Sequence, residues 1–401
     1  MFRFMRFALC FVAVFSLLGS GLASASKGLP KWETAFDPGP YMSDGDYLIM
    51  SVEEFKENLY IVAAGMDDQG GQVFRSPDGK NWEAVTEAGF GLGAVEDVCA
   101  PNYYDTSWDM VVFQGKLYLL PYEQTCYLRP GLIMRTSDGV NWETVVTAED
   151  LGFILPVDDL TFYGQFHKLG VFKGMLYANL DFYDPEVEFT TSIIFRSPNG
   201  DPGTWEEVMD FPGWNYPGTF HVYKGALYVA SDGVLSPPDE VPAPEQIWRT
   251  FDGLNWEMVV GNGFGNPGSD GLGAFADYKG YLYVGAESGE EGGAQIWRSK
   301  DGLAWEPVSL EGLLSANDVK MDGLNVYHGE LYAHTVNWTD GCSVFRSKDA
   351  KTWERVNEPG WGNPDWATSH HTAAQVVFKD ELYMGVLGDH GVLLKMVHPD
   401  K

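Results

Sequence analysis

A seven-fold internal repeat constrains the fold of this 401-residue chain more than any other feature of its sequence. An aromatic residue followed closely by Leu-Tyr recurs at spacings of 49 to 59 residues, with the tyrosines at Tyr60, Tyr118, Tyr177, Tyr228, Tyr283, Tyr332 and Tyr383. A second phrase, written "FRSPDGKNWE" at 74–83, follows six of the seven copies in variant forms. Such a period indicates one supersecondary unit that is copied and stacked against its neighbours.

Each unit is predicted to contain four short β-strands. Within 272–309, the runs "GAFADY", "YLYVGA", "AQIWRS" and "AWEPV" are separated by turns or loops that contain glycine. Short turns of this kind between β-rich runs are hairpin signals. Four-stranded antiparallel units arranged around an axis form a β-propeller, and no segment has the period of a long amphipathic helix. We therefore predict an all-β fold, a seven-bladed β-propeller of four-stranded antiparallel blades.

The two ends of the chain are predicted to complete one blade together. The seventh unit ends in "GVLLKMVHPDK" without the Trp-Glu of the second phrase, whereas "KWETAF" occurs at 31–36. Lys395 aligns with the arginine of that phrase, and Trp32 with Glu33 supplies the missing pair. We expect the N-terminal strand to close the last blade, because this closure removes an open sheet edge.

The first 25 residues have the three parts of a secretory signal peptide. Arg3 and Arg6 precede an apolar run at 7–18, and "ASA" at 23–25 matches a cleavage site. The apolar run is too short to span a bilayer, and no later segment offers a long uncharged one. We expect cleavage after Ala25, a single propeller domain over 26–401, and a secreted or periplasmic protein without a membrane span.

The formal net charge of −31 limits the partners of this protein. Nucleic acids need basic contacts to their phosphates, so the charge argues against them and against anionic membrane surfaces. The partner that we expect is an extracellular glycan or a cationic ligand. Beyond the signal peptide the chain has three cysteines, Cys99, Cys126 and Cys342. In an exported protein, Cys99 and Cys126 are the candidate disulfide pair by proximity in sequence, and three buried thiols are the alternative.

The repeated turn has the pattern [Ser/Thr]-x-Asp-Gly-x-x-Trp. It is complete at 76–82, 136–142, 250–256 and 299–305, Ala350 replaces the glycine in the sixth unit, and the third unit has Asn199 and an insertion before Trp205. This pattern resembles the Asp box, or BNR repeat, of sialidase-like propellers, although the step from Asp to Trp is one residue shorter here. The resemblance implies that each box lies on the turn between the third and fourth strands of a blade. It implies architecture and says little about activity.

Residues that recur in six blades are expected to be scaffold. Arg75 and Glu83, and their counterparts in the other units, should pair across the hairpin. Sialidases that resemble this fold hold the substrate carboxylate with three arginines. Outside the repeat and the signal peptide, this chain has only Arg129 and Arg355. Sialidase activity is therefore disfavoured.

Candidate site residues were sought in the loops that do not repeat, since function is usually carried by variable loops on a rigid scaffold. The loops after the second strands are acidic in every unit, Asp181 among them; carboxylates suit Ca²⁺, but solubility explains them as well. Seven residues are candidates for glycan binding: Tyr103, Trp108, Asp109, Tyr216, Asp270, Trp366 and His370. Four residues near the starts of the innermost strands are candidates for catalysis: Tyr163, His167, His221 and His371.

The sequence favours one function and leaves two alternatives open. The favoured one is an exported propeller that binds an extracellular ligand, in the first place a glycan, through the non-repeating loops over the central channel. The first alternative is a glycan-degrading enzyme, a hydrolase with paired carboxylates or a lyase with a Tyr/His pair. The second is a protein-interaction scaffold of the cell envelope. No cofactor is indicated apart from a possible Ca²⁺.

Overall fold

Seven four-stranded antiparallel sheets make up the protein, and their first strands contact one another in order around a closed ring. The computed structural model describes residues 29–42, 47–65, 70–94, 103–123, 128–157, 160–184, 189–211, 215–234, 244–265, 271–287, 293–308, 310, 314–315, 317–337, 339–363, 374–386 and 391–397. The predicted seven-bladed all-β propeller is confirmed.

Blades 1 to 3 take their strands from the first half of the chain. Blade 1 contains β2 (Tyr47–Phe55), β3 (Asn58–Gly65), β4 (Gln72–Ser76) and β5 (Glu83–Ala84). Blade 2 contains β6 (Thr106–Phe113), β7 (Lys116–Tyr122), β8 (Leu132–Thr136) and β9 (Trp142–Thr147). A separate hairpin, β10 (Ile154–Val157) and β11 (Leu160–Tyr163), precedes blade 3. Blade 3 contains β12 (Gln165–Phe172), β13 (Met175–Asp184), β14 (Phe189–Ser197) and β15 (Glu206–Phe211).

Blades 4 to 7 continue the same order. Blade 4 contains β16 (Asn215–Tyr223), β17 (Ala226–Val234), β18 (Ile247–Thr250) and β19 (Trp256–Val260). Blade 5 contains β20 (Leu272–Tyr278), β21 (Tyr281–Ala286), β22 (Gln295–Ser299) and β23 (Trp305–Val308). Blade 6 contains β24 (Lys320–Tyr327), β25 (Glu330–Val336), β26 (Val344–Ser347) and β27 (Glu354–Arg355). Blade 7 contains β28 (Gln375–Phe378), β29 (Glu381–Val386), β30 (Val392–Val397) and the N-terminal strand β1 (Lys31–Phe36).

The N-terminal strand closes the ring as predicted. In the antiparallel pair of β1 and β30, Glu33 lies opposite Lys395 and Trp32 lies opposite Met396. The Trp32 indole Nε1 donates to the Val356 carbonyl of blade 6 at 3.1 Å. The strand is therefore held both by its own sheet and by the neighbouring blade.

The turn between the third and fourth strands carries the Asp box, as the resemblance implied. Asp78 Oδ1 accepts the backbone N–H groups of Lys80 at 2.9 Å and Asn81 at 2.8 Å. These hydrogen bonds hold the pKa of Asp78 well below its usual range. The same pair of backbone donors reaches the box carboxylates of Asp138, Asp252, Asp301 and Asp349. The box aspartates are thus committed to holding their own turns.

The repeat arginines pair across their hairpins, as predicted. The N···O distances are 2.6 to 2.7 Å in all six pairs: Arg75–Glu83, Arg135–Glu143, Arg196–Glu206, Arg249–Glu257, Arg298–Glu306 and Arg346–Glu354. Some of these arginines also reach the next blade. Arg135 Nη1 donates to Asp201 of blade 3 at 2.6 Å, and Arg249 Nη1 donates to the Asp301 carbonyl of blade 5 at 3.3 Å.

At five blade seams, the tyrosine of the Leu-Tyr phrase meets the glycine in the repeated turn of the next blade. Tyr60 of blade 1 is fully buried, and its hydroxyl lies where a Cβ at Gly139 of the blade 2 box would be. Tyr177 and Tyr228 stand in the same way against Gly253 and Gly302. The box glycine therefore has two reasons to lack a side chain, a left-handed backbone and a neighbouring tyrosine.

Lysines at the turn after the first strand strengthen the same seam. Lys56 adopts a left-handed φ of 48°, and its Nζ donates to the Ser137 carbonyl in the box of blade 2 at 2.5 Å. Lys173, Lys224 and Lys379 make the same bond to the boxes of the following blades. This end of the propeller, called the box face below, carries both kinds of turn and all of these cross-blade bonds.

The loops after the fourth strands share more structure than we expected from their different sequences. Three of them contain a 3₁₀ turn in which an aromatic residue flanked by glycines has a left-handed φ: Phe90, Phe264 and Trp361. Phe264 stacks on Trp297 of blade 5 with centroids 4.6 Å apart, and Trp361 meets Trp32 of blade 7 edge-on at 5.7 Å. These aromatic residues seal blade seams away from the box face, so they belong to the scaffold.

Replacing Gly139 by alanine should lower the stability of the ring. The new Cβ would meet the Tyr60 hydroxyl and would require a left-handed alanine at φ +84°, a combination that costs more than about 2 kcal/mol. The urea midpoint of the variant, followed by circular dichroism, measures this cost.

Gly115→Ala is the matched control for this substitution. Gly115 has φ +73° but nothing within 4 Å of an added Cβ, so only the backbone cost of about 1 kcal/mol applies. Equal midpoints for the two variants would show that the tyrosine contact does not restrict the box glycine.

Candidate functional site

The innermost strands of blades 2 and 3 each contain a β-bulge close to their first residues. The register shifts between Ser107 and Met110 in β6 and between Phe166 and Leu169 in β12. Both strands start at the end of the channel opposite the box face, which we call the mouth. Bulges re-aim side chains, and here they carry Trp108 with Asp109 and His167 with Lys168.

Three rings at these bulges form a mouth cluster of Trp108, Tyr122 and His167. The centroids of Tyr122 and His167 are 4.7 Å apart, those of Trp108 and Tyr122 6.1 Å, and those of Trp108 and His167 6.2 Å. Trp108 also packs against Met50 and Ala64 of blade 1. The cluster therefore joins blades 2 and 3 and packs against blade 1, and the rings of Trp108 and His167 are half-buried.

A buried carboxylate orients His167 within the mouth cluster. The His167 Nδ1 lies 2.5 Å from Asp181 Oδ2. The other oxygen of Asp181 accepts the Ser192 hydroxyl, and the Asn179 amide at 3.3 Å. The His167 ring and the Asp181 carboxylate therefore form a close pair at this seam. The Nε2 atom is also buried.

Asp109 and Lys168 hold the two bulges against each other, and we call this pair the bulge lock. Asp109 Oδ2 accepts the Leu169 N–H of blade 3 at 2.9 Å, while Lys168 Nζ donates to the Trp108 carbonyl of blade 2 at 3.3 Å. Asp109 Oδ1 also accepts its neighbouring Met110 N–H at 3.0 Å. Asp109 directly follows Trp108 in the sequence, and Lys168 directly follows His167. The lock therefore fixes the backbone that positions both rings.

Glu53 of blade 1 adds a second carboxyl group beside the lock. Burial, followed by the charge of Asp109, raises the pKa of Glu53 to about 7. Burial also raises the pKa of Asp109, although the Lys168 ammonium and the two backbone donors oppose the change. Two carboxyl groups and one ammonium group therefore share this part of the channel wall.

The structure places the other described candidates apart from the mouth cluster. His221 lies two residues before the end of its inner strand, towards the box face, where its Nε2 is 3.0 Å from Asp277 Oδ1. Tyr163 ends the separate hairpin opposite Ile154. Tyr103 packs over Gly89 of the first 3₁₀ turn. Of the candidates whose side chains the structure describes, only Trp108, Asp109 and His167 come together.

Several predicted residues lie outside the described residues. These are Asp270, Trp366, His370, His371 and the candidate disulfide pair Cys99 and Cys126. Tyr216 lies within β16, but its side chain is outside the description. Cys342 is buried.

The two arginines outside the repeat support the scaffold. Arg129 is buried, lies 3.9 Å from the Tyr104 ring centroid and donates to the Gly93 carbonyl at 2.9 Å. Arg355 lies over the Phe345 ring at 5.6 Å. The described part of the chain also contains no group of three or more His, Cys, Asp or Glu side chains placed to hold a metal ion.

Sequence reasoning missed Glu53, Tyr122 and Lys168, and it assigned Asp181 to a loop although β13 continues through it. Aligning the seven inner strands on their shared aromatic residue would have shown Asp109 and Lys168 at one position, four residues before Phe113 and Phe172 respectively. No sequence signal could have shown that each of these side chains bonds the backbone of the other bulge across the seam.

No protein-family model and no curated protein matches this sequence. Similar solved structures include Trypanosoma rangeli sialidase in complex with sialic acid, at 13% identity over 88% of this chain and 54% of that chain, with a TM-score of 0.43. A prolyl endopeptidase matches at 10% identity over 85% of this chain and 46% of that chain, with a TM-score of 0.52. The β-propeller domain of the Trilobed protease from Pyrococcus furiosus matches at 9% identity over 88% and 95%, with a TM-score of 0.48.

This chain spans about half the length of the sialidase and the endopeptidase chains. At identities this low, the comparisons show the β-propeller fold alone. The described part of the chain contains no helix with the length and hydrophobicity needed to cross a membrane.

Replacing Asp181 by alanine should destabilise the mouth. It leaves His167, Ser192 and Asn179 without their common acceptor, which costs about 3 kcal/mol for a buried, charge-assisted network. Urea unfolding measures the loss, and ¹⁵N NMR of the His167 ring reports whether the Nδ1 proton is still held.

Asp277→Ala provides the matched control, because it removes the carboxylate of an exposed His–Asp pair. Asp277 is about half-exposed beside His221, so its loss should cost less than about 1 kcal/mol. If Asp277→Ala lowered the free energy of unfolding as much as Asp181→Ala, burial would not determine how much such a His–Asp pair stabilises the protein.

Proposed function

We propose that this protein is an exported β-propeller that binds an extracellular glycan at the mouth of its channel, on blades 2 and 3. The observation that carries the proposal is the mouth cluster. Trp108 and His167 present half-buried rings on strands that bulges re-aim. Rings with both an apolar face and polar neighbours suit sugars, whose faces are apolar and whose edges carry hydroxyl groups.

The geometry around His167 supports binding over catalysis. A general base must come within hydrogen-bond reach of the proton that it removes, but Nδ1 is engaged with Asp181 and Nε2 is buried. His221 has its own partner, Asp277, near the other end of the channel. We therefore place the glycan-degrading enzyme second.

The N-terminal pattern supports export. The basic start, the apolar run and the A-x-A site at 23–25 are the parts of a signal peptide. N-terminal sequencing of the protein recovered outside the cytoplasm should begin at Ser26. A protein retained in the cytoplasm with an intact N terminus would contradict export.

Glycan retention should depend on the mouth cluster. We expect Trp108→Ala and His167→Ala to weaken retention on immobilised polysaccharides at least about tenfold, since each removes one ring contact worth about 1.4 kcal/mol. Affinity electrophoresis with neutral xylan, cationic chitosan and anionic alginate measures the effect on the folded 26–401 protein.

Trp297→Ala is the control, because Trp297 is a half-buried tryptophan of blade 5 that stacks on Phe264. It should leave retention unchanged. Retention that survives the loss of Trp108 and His167 would move the binding site elsewhere. Release of reducing ends or of unsaturated uronates from these polysaccharides would favour the enzyme alternative.

A further inference from the structure

The faces of β2 show which seam Glu53 occupies. Glu53 lies opposite Tyr60 in the antiparallel pair of β2 and β3, and directly opposite residues share one face of a sheet. Tyr60 belongs to the core cluster between blades 1 and 2, together with Met110 of β6. The Glu53 side chain therefore faces blade 2, where Asp109 follows Trp108 in the bulge of β6.

Asp109 connects Glu53 to the mouth cluster. Its side chain accepts the Leu169 N–H at 2.9 Å, and Lys168 of the same bulge donates to the Trp108 carbonyl at 3.3 Å. Lys168 is also anchored through its own N–H, which donates to Asn179 at 2.7 Å. Asn179 in turn bonds Asp181, the partner of His167. One continuous set of contacts thus leads from Asp109, whose charge acts on Glu53, to both polar rings of the cluster.

The other charged groups on neighbouring strands are engaged elsewhere. Glu54 follows Glu53 in sequence and is exposed, and β3 and β28 carry no charged residue. The remaining charged groups on the adjacent strands form pairs of their own: Glu381 with Lys395, Asp181 with His167, Arg135 with Glu143 and Asp201, and His221 with Asp277. Lys116 starts β7 and so lies at the box face. Within the described part of the chain, Asp109 is therefore the charged group of another blade that acts on Glu53.

We propose that Asp109 and Lys168 are the positioning residues of the mouth cluster, and that Glu53 makes their hold on Trp108 and His167 dependent on pH. The inference rests on the proposed function in one respect, that the mouth cluster is the binding surface. When Glu53 is neutral, Asp109 is balanced by Lys168 and keeps the Leu169 N–H. When Glu53 is ionised, a second negative charge at this seam repels the Asp109 carboxylate.

The direction of the pH effect follows from the Glu53 carboxyl. Burial and Asp109 hold its pKa at about 7 in the folded protein, against 4.5 for the ordinary side chain. The folded state thus keeps a proton that the unfolded chain releases near pH 4.5. The stabilisation is complete at low pH and is lost as the pH rises through about 7. The lock should accordingly be tight at pH 6 and loosened at pH 8.

Amide hydrogen exchange at Leu169 tests the lock without any glycan. In the 26–401 protein, the protection factor of this amide should fall about fivefold or more from pH 6 to pH 8, after correction for intrinsic exchange. Glu53→Gln should hold it within about twofold. Glu54→Gln, the exposed neighbour, should behave as the wild type. The amide of Ala294, which donates to the Asp318 carbonyl at 2.7 Å in blades 5 and 6, is the internal reference.

Retention on xylan, chitosan and alginate at the same two pH values separates this inference from the proposed function. We expect weaker retention at pH 8, and a Glu53→Gln variant that keeps its pH 6 retention. If the protein is not retained on any polysaccharide but the Leu169 amide behaves as expected, glycan binding is overturned and the pH-dependent bulge lock still stands. Leu169 protection that is independent of pH, or that changes equally in wild type and Glu53→Gln, would overturn the lock.

Discussion

The contact between a buried tyrosine and the box glycine of the next blade is the interaction on which the ring depends. Tyr60 against Gly139 shows it in its simplest form, because the hydroxyl fills the space that a side chain would need. A blade cannot bury its two faces alone, and this contact fixes how each blade meets its neighbour. The hydrogen bonds from lysine and arginine side chains to the next blade further fix the orientation of the two blades, whose packing the tyrosine and glycine already define.

Most of the polar side chains that recur in the repeat hold turns and hairpins in place. The box aspartates hold their own turns, and the repeat arginines hold glutamates across their hairpins. The box face therefore offers few polar side chains for a ligand. The channel mouth differs, since its inner strands carry a different residue in almost every blade. Two bulges there bring Trp108 and His167 together without disturbing the seam at the other end.

The mouth also shows how a polar cluster can be built at a blade seam. Asp181 accepts the Ser192 hydroxyl and the Asn179 amide beside His167, and Asp109 takes a backbone N–H from the neighbouring blade. Both carboxylates act by fixing the positions of the groups that they bond. A ring cannot shift at this mouth unless the hydrogen bonds behind it shift as well, which is the physical basis for linking its geometry to proton uptake.

The sequence by itself determined the fold, down to the closure that sets Glu33 opposite Lys395. It could do so because strand period, turn chemistry and repeat length are local signals that all agree. It also showed that the box residues are scaffold, since they recur in six units. It did not show the shared 3₁₀ turns, whose aromatic residues adopt a backbone conformation that such side chains rarely take.

Only the tertiary structure decided the candidate site. His167 lies five residues before the aromatic residue that ends its strand and His221 only two. The first therefore lies at the mouth and the second near the box face, but only the structure shows which neighbours each one meets. Trp108 and His167 are 59 residues apart and meet only because adjacent blades place their bulges side by side. Such contacts depend on how whole sheets pack around the axis, and no pattern within one strand records them.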